Sequence, residues 1–151
     1  MISFAVEKFS DIVEELKELI FEHWLEITSE PETRPLDVHW DQYYELEKQN
    51  MLFVLAARHD GRLVGYIIHL IYRPLHYRYM LMASDDAHFL KKELRKGTSG
   101  MKMFKAAEKA LKEIGVNSIT YHSKTRRDIN KKPVFERMGY SAHEYLFVKH
   151  I

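Results

Sequence analysis

The 151-residue sequence contains no cysteine. This absence excludes disulfide bonds, thiolate metal ligands and a cysteine nucleophile, and it gives no sign of an oxidising compartment. Long apolar runs are absent too, because residues 63–72 form the longest one and a membrane-spanning helix needs about 20 residues. The first seven residues lack the basic and apolar regions of a secretory signal. We therefore expect a cytoplasmic protein that does not bind a membrane.

Motifs for metal binding are also absent. None of the nine histidines lies in an HExxH pattern or at another close paired-ligand spacing, so we predict no metal site. Apolar residues make up 46% of the chain, which is typical of a globular protein. A chain of this length buries roughly 68–70% of its extended surface, and we predict a single domain over residues 1–151.

The net charge of +1 hides a difference between the two parts of the chain. Residues 1–50 hold 13 acidic and 4 basic residues, a net charge of −9, whereas residues 51–151 hold 9 acidic and 19 basic residues, a net charge of +10. Such an asymmetry indicates that two parts of one surface meet ligands of opposite sign, unless it only reflects solvated helix faces.

Hydrophobic periodicity predicts ten elements in the order β α α β β β α β α β. Ser10 is the expected N-cap of the first helix, and Asp60-Gly61 is a strong hairpin signal. The predicted elements are strand 2–6, helix 11–27, helix 41–50, strands 51–58, 63–72 and 79–90, a helix opening at the 95–100 turn and ending at 114, strand 116–122, helix 128–138 and strand 140–149. Hairpins followed by strand–helix–strand crossovers predict an α/β fold with a mixed, mostly antiparallel twisted sheet and helices on both faces.

The turn Arg95-Lys-Gly-Thr-Ser-Gly100 lies between a strand and a helix. Its two glycines let backbone N–H groups approach a ligand closely, and the helix start adds about half a positive charge. Lys91 and Lys92 add further positive charge. The turn is neither a P-loop nor a G-x-G-x-x-G fingerprint, so it favours a phosphate or pyrophosphate group in another setting. An ordinary basic turn is the alternative.

The order of elements around this turn carries a resemblance that covers nearly the whole chain. Strand Asp86-Ala-His-Phe-Leu90, loop Arg95-Lys-Gly-Thr-Ser-Gly100 and closing segment Phe135-Glu-Arg-Met-Gly-Tyr140 resemble the motifs of the GNAT N-acetyltransferase superfamily. The R-x-G-x-x-G spacing of the loop resembles that in many phage-encoded members. A phage-encoded protein would act in the cytoplasm of the host.

The resemblance implies that acetyl-CoA binds as co-substrate. The pantetheine arm would pair with the end of the strand, and the pyrophosphate would lie on the amides of the glycine turn. The implied cofactor-binding residues are Phe89, Leu90, Arg95, Lys96, Gly97, Thr98, Ser99, Gly100, Asn130 and Phe135. A second basic cluster could face the adenosine 3′-phosphate or form a solvated loop, and it comprises Lys124, Arg126, Arg127, Lys131 and Lys132.

Acetyl transfer to an amine needs a proton acceptor, because deprotonating an alkylammonium at pH 7 costs about 4.6 kcal/mol. The two-residue period of a strand places Asp86 and His88 on one face, next to the implied thioester. We predict Asp86 as the first and His88 as the second candidate for the catalytic base. Asp85 faces the other way and is the weaker candidate, and the alternative is a purely structural role for these side chains.

Two further features concern the leaving group and the acceptor. Phe135 stands where many members of the superfamily place a tyrosine acid, but a thiolate leaves unassisted at pH 7 for about 2 kcal/mol. Acidic residues accompany Trp40, Tyr43 and Tyr44 in the region 28–50, which the resemblance makes the acceptor pocket. Acids and aromatics together favour a cationic amine on a small molecule or a protein, unless these aromatics only pack.

Two other functions remain open. Phe135 supports a CoA-binding module without catalysis, which would release no thiol with any amine. The basic second part supports a nucleic-acid-associated protein, although the acidic first part would repel phosphate and no nucleic-acid motif is present. Strand 140–149 could also pair with a second subunit in a homodimer.

Overall fold

The structure, a computed structural model, describes all 151 residues. It comprises two compact units, residues 1–121 and residues 122–151. The first contains β1 (Ile2–Val6), α1 (Phe9–Ile27), α2 (Trp40–Lys48), β2 (Leu52–His59), β3 (Arg62–Tyr72), β4 (Met82–Leu90), a 3-10 turn (Lys92–Leu94), α3 (Ser99–Glu113) and β5 (Ser118–Thr120), and the second contains α4 (Lys132–Arg137). None of these helices is long and apolar enough to cross a membrane.

The sheet has the order β1-β2-β3-β4-β5. The first four strands are antiparallel, and β5 alone runs parallel to its neighbour β4. Helices α1 and α2 cover one face and α3 covers the other, so the central strands are buried on both sides. The predicted mixed, mostly antiparallel fold is confirmed.

The core between the sheet and α1 consists of large apolar side chains. Phe9, Leu16 and Tyr66 are 0% exposed, and each such side chain stabilises the fold by about 1.5–3 kcal/mol. The buried Tyr66 hydroxyl is satisfied by a hydrogen bond of 2.8 Å to Nδ1 of His23. Burial lowers the pKa of His23 to about 4, so this histidine is neutral at pH 7.

The β2–β3 hairpin follows its sequence signal closely. Asp60 and Gly61 have φ of 50° and 78°, the left-handed values that a two-residue type I′ turn requires. Farther along β3, a Cβ on Gly65 would lie 2.6 Å from the carbonyl oxygen of Phe89. The absence of a side chain there therefore allows β3 to approach the end of β4.

Several predicted boundaries are wrong. Helix α1 begins at Phe9 rather than after Ser10, whose N–H instead donates to the Glu47 carboxylate at 3.3 Å. Strand β4 begins at Met82 rather than at residue 79, because two successive turns occupy the preceding loop. Strand β5 covers only Ser118–Thr120 of the predicted 116–122, since pairing with β4 ends there.

In the second unit, the predicted strand 140–149 is wrong, because residues 140–151 form neither helix nor strand. Tyr145 and Phe147 are 90% and 91% exposed. A strand depends on backbone hydrogen bonds to a neighbour, and no strand pairs with this segment. Helix α4 is shorter than predicted, and it starts where the Lys132 N–H donates to the side-chain oxygen of Asn130.

Candidate active site

Strand β4 has two different edges. It pairs with β3 over its whole length, but with β5 only from Met82 to Ser84. Beyond Ser84 no strand pairs with the β5 side of β4. An unpaired strand edge presents backbone N–H and C=O groups to an extended ligand that carries amides.

A β-bulge interrupts β4 at the start of this open edge. Ile68 pairs with Ala87 and His69 pairs with Asp85, so Asp86 is an extra residue. A bulge breaks the alternation of side chains along a strand. The two-residue period therefore fails here, and the expectation that Asp86 and His88 share a face is wrong.

The carboxylate of Asp86 lies on the face covered by α2. The Tyr43 hydroxyl donates a hydrogen bond of 2.5 Å to Oδ2 of Asp86. Burial raises the pKa of Tyr43 above its usual value, and the negative charge of Asp86 raises it further, so Tyr43 remains a donor. The structure thus joins a predicted catalytic residue to a predicted acceptor-site residue.

The other two predicted acceptor-site aromatics lie beside Tyr43. The ring of Phe9 stacks with those of Tyr43 at 5.2 Å and Trp40 at 6.3 Å, and contacts Tyr44 edge-on at 5.1 Å. All three predicted residues are half-buried. They form a wall whose packing on Phe9 fixes the position of the Tyr43 hydroxyl.

The opposite face of β4 carries a buried polar cluster, formed by Asp85, His88 and His69. Nδ1 of His88 lies 3.0 Å from both carboxylate oxygens of Asp85, which is 6% exposed. A carboxylate only accepts hydrogen bonds, so Nδ1 of His88 is the donor in this pair. His88 also contacts Phe104 of α3, with ring centres 5.3 Å apart.

His69 is the most unusual member of this cluster. It is 0% exposed, and neither ring nitrogen has a hydrogen-bond partner. Burial lowers its pKa to about 4, so it is neutral at pH 7. Sequence reasoning missed both His69 and the pairing of Asp85 with His88, because their proximity depends on the bulge and on the β3–β4 register.

The glycine turn follows the open edge of β4. Gly97 has φ of 59°, which favours glycine, and a Cβ on Gly100 would meet no atom within 4 Å. The amides of Gly97, Thr98 and Gly100 donate to no backbone carbonyl, and Lys96 at the turn is exposed. These donors lie at the start of α3, where an anion is stabilised by the helix dipole.

Arg95 and the strand end support the turn from inside. Nε of Arg95 donates to the Leu90 carbonyl at 2.6 Å, and the two terminal nitrogens donate to the Glu26 carboxylate at 2.7 and 2.6 Å. Its guanidinium also lies 5.3 Å from the centre of the Phe89 ring, and its amide donates to Lys92. Arg95 thus holds the turn, while Phe89 and Leu90 are buried at the end of β4 and the Leu90 carbonyl is occupied by Arg95.

The Ser99 amide is also engaged, since it donates to the Lys96 carbonyl at 3.3 Å. The predicted cradle of amides from Arg95 to Gly100 is therefore narrower than the sequence suggests. The amides of the turn that donate to no backbone carbonyl are those of Lys96, Gly97, Thr98 and Gly100.

The second unit contains the remaining predicted residues. The Asn130 side chain accepts hydrogen bonds from the Ser123 hydroxyl and the Lys132 amide, so it organises the start of α4. Phe135 is 6% exposed and contacts the ring of Tyr140 at 5.7 Å. In the second basic cluster, Arg126 pairs with Asp128 and Lys132 pairs with Glu136.

No protein-family model and no curated protein matches the sequence. Solved structures do match. The chain is similar to a ribosomal-protein-alanine N-acetyltransferase from Brucella melitensis biovar Abortus 2308, with a TM-score of 0.75, 14% identity and 100% of both chains covered. It is also similar to AAC(6')-Iy in complex with the bisubstrate analogue CoA-S-monomethyl-acetylneamine, with a TM-score of 0.73, 12% identity, and 100% of this chain and 98% of that chain covered.

A transcriptional regulator from Bacillus halodurans C-125 is similar as well, with a TM-score of 0.75, 18% identity and 100% of both chains covered. Similarity at this level of identity establishes the fold. The chain therefore has the fold of these acetyltransferases, and the reaction has to be argued from the site.

Proposed function

We propose that this protein is an N-acetyltransferase that moves the acetyl group of acetyl-CoA to an amine. The observation that carries the proposal is the open edge of β4 beyond Ser84, which is followed by the short 3-10 turn and then by the glycine turn before α3. The edge suits the two amides of a pantetheine arm, and the turn suits a pyrophosphate. Solved structures of the same fold include acetyltransferases, one of them with a CoA bisubstrate analogue.

The residues present fit this substrate. The amides of Gly97, Thr98 and Gly100 donate to none of the protein's own backbone carbonyls, and a Cβ on Gly100 would meet no atom within 4 Å. The Arg95–Glu26 pair fixes the turn at the end of β4. A preorganised turn reduces the conformational entropy lost when the ligand binds.

Asp86 is the proposed proton acceptor. Its displacement by the bulge directs the carboxylate to the α2 face, where Tyr43 fixes its orientation. The carboxylate attracts the ammonium form of the acceptor, accepts a proton as the amine nitrogen begins to attack, and passes that proton to water at its exposed position. His88 stays the second candidate.

The transfer itself is a substitution at the thioester carbonyl. The nitrogen lone pair attacks the carbonyl carbon, the C–S bond breaks and the thiolate leaves with the bonding pair, while the nitrogen releases its remaining extra proton to water. Phe135 offers no acidic hydroxyl, but the unassisted departure of a thiolate with a pKa near 8.5 costs only about 2 kcal/mol at pH 7. Water protonates the released thiolate.

Cofactor binding is tested by placing a charge in the glycine turn. Gly100→Glu adds a carboxylate where the pyrophosphate would lie, while Ala5→Glu adds the same charge on exposed β1 at the opposite side of the sheet. Titration calorimetry with acetyl-CoA should show binding for the parent and Ala5→Glu, and at least a tenfold loss for Gly100→Glu. Equal affinity in a folded Gly100→Glu would refute the site.

The alternative, a CoA-binding module without catalysis, is favoured by Phe135 alone. Thiol release separates the two functions when it is measured over a panel of alkylamines, aminoglycosides and peptides with free amino termini. The proposed enzyme releases thiol with at least one class. Tight CoA binding without release from any class would support the module.

A further inference from the structure

The loop between β3 and β4 forms an exposed aromatic tip that the proposed site does not use. This hairpin tip, residues 73–80, carries Leu75, Tyr77 and Tyr79 with 98%, 52% and 76% of their surfaces exposed. The two tyrosine rings contact each other edge-on at 6.2 Å. Tyrosine, arginine and isolated large apolar groups are typical of protein-binding surfaces.

The hairpin tip is preformed. Its backbone makes two successive turns, closed by hydrogen bonds from Tyr77 to Pro74 at 3.1 Å and from Met80 to Tyr77 at 2.9 Å. The Arg73 guanidinium ties them together by donating to the carbonyls of Arg78 and Met80 at 3.3 and 3.2 Å. A tip held in this way loses little conformational entropy when a partner binds.

The charge of this region has one sign. No acidic residue occurs from residue 61 to residue 84, while Arg73, His76 and Arg78 lie within the hairpin tip. Arg78 and His76 are exposed. The complementary ligand is therefore acidic, and the exposed Leu75 and tyrosines add apolar contacts.

We propose that the hairpin tip is a docking surface for an acidic segment, containing leucine or aromatic residues, of a polypeptide acceptor. The role of this polypeptide as an acetyl acceptor rests on the proposed acetyltransferase function. A polypeptide suits the surface better than a nucleic acid or an anionic membrane, because a long polyanion would also meet the acidic residues 1–50, whose net charge is −9. A short acidic segment contacts the basic tip alone.

The position of the hairpin tip sets the spacing in such an acceptor. Met80 precedes Asp86 by six residues, four of them counted from the start of β4, so the end of the tip lies at most about 20 Å from the proposed proton acceptor. An extended peptide spans this distance with about six residues. The acidic segment therefore follows the acetylated amine by roughly this number.

Binding to a designed peptide tests the surface directly. The probe is a fluorescent peptide of roughly twelve residues with a free amino terminus, a Gly/Ser spacer and a second half of Glu, Leu and Phe. Fluorescence anisotropy should show saturable binding that weakens at least tenfold in Arg78→Glu and in Tyr79→Ser. The matched control is Arg62→Glu, which reverses an exposed arginine at the other end of β3 and should bind like the parent.

Three comparison ligands test whether the hairpin tip binds a different kind of partner. They are the same peptide with Gln for Glu, a single-stranded RNA of equal charge, and vesicles containing phosphatidylserine. Weaker binding of all three supports the proposal. Equal binding of the Gln peptide, tighter binding of RNA or vesicles, or equal effects of Arg78→Glu and Arg62→Glu would overturn it.

Acetyl transfer to a small alkylamine distinguishes failure of this proposal from failure of the proposed function. Arg78→Glu should leave that rate unchanged and raise the KM for the acidic peptide at least tenfold. If the parent protein transfers no acetyl group to the small alkylamine but still binds the acidic peptide, the acetyltransferase function is refuted and the docking surface is supported. Equal KM values for the acidic and Gln peptides would overturn the docking surface and leave the enzyme standing.

Discussion

Asp85 and Asp86 are adjacent in the sequence and occupy opposite faces of β4. Asp85 is buried against His88 on the face covered by α3, whereas Asp86 is exposed and bonded to Tyr43 on the face covered by α2. The ordinary alternation of a strand separates them, and the bulge at Asp86 then places His88 on the face of Asp85. The comparison teaches that one face of this strand carries a buried polar pair, whereas the other carries the exposed carboxylate to which we assign the proton transfer.

The largest effect is expected on the α2 face. Asp86→Asn keeps the shape of the side chain and removes its charge, so turnover should fall by roughly 10²–10⁴ while CoA affinity stays nearly unchanged. Steady-state thiol release and calorimetry measure the two quantities. Turnover within a few-fold of the parent would place the proton acceptor elsewhere, and His88→Asn would be the next variant.

The second expected effect is a pH dependence of the free energy of unfolding. It originates partly in the buried polar cluster of Asp85, His88 and His69. Burial lowers the pKa of His69 and of His23 to about 4, while the unfolded chain protonates near 6.5. Between these values the unfolded state binds more protons, so the free energy of unfolding decreases as the pH falls from 6.5 to 4. The decrease is up to about 1.4 kcal/mol per pH unit for each histidine.

The variant His69→Phe tests how much of this pH dependence originates in the buried polar cluster. The variant removes one of the two histidines, so the change in the free energy of unfolding per pH unit should fall to about half. It also places an apolar ring where two nitrogens lack hydrogen-bond partners, so stability at pH 7 should not be lost. Urea titrations from pH 4.5 to 7.5 give the slope. An unchanged slope would show that His69 is protonated alike in both states.

A smaller effect is expected from Asp85→Ala. The substitution leaves the partly buried Nδ1–H of His88 without its carboxylate, which should cost about 1–3 kcal/mol in the free energy of unfolding. Acetyl transfer per folded molecule should change far less than in Asp86→Asn. A loss of turnover equal to that of Asp86→Asn would make the Asp85–His88 pair part of the chemistry.

The smallest effect is expected from Tyr43→Phe. This variant retains the ring that stacks on Phe9 and removes only the hydrogen bond to Asp86, worth about 0.5–1.5 kcal/mol. We expect turnover to fall by about tenfold or less, with a similar KM. Tyr44→Phe, on the same wall, is the control and should behave like the parent.

The fold was largely predictable from periodicity and turn chemistry. Asp60-Gly61 marks its hairpin because few residue pairs adopt two left-handed conformations, and nearly continuous apolar runs mark β2 and β3. The bulge was not predictable, because two adjacent aspartates carry no local signal of which one is extra. The Arg95–Glu26 pair joins residues 69 apart in sequence, so it appears only when α1 lies over the end of β4.

The prediction of a strand over residues 140–149 was wrong for a related reason. Residues 145–148 have a strong preference for extended structure, but an isolated strand has no partner for its backbone groups. Local preference predicts a strand only where a neighbouring edge is available. Pairing of this segment with a second subunit stays a prediction.

Hydrogen exchange along β4 tests the central claim most directly, because the claim is that acetyl-CoA binds at the open edge of this strand. The amides of residues 85–90 that face the open edge, and those of Gly97, Thr98 and Gly100, should exchange fast in the free protein and become protected when acetyl-CoA is added. Amides of β1 and β2, at the other side of the sheet, should not change. Protection confined to other segments, or none at saturating acetyl-CoA, would contradict the account.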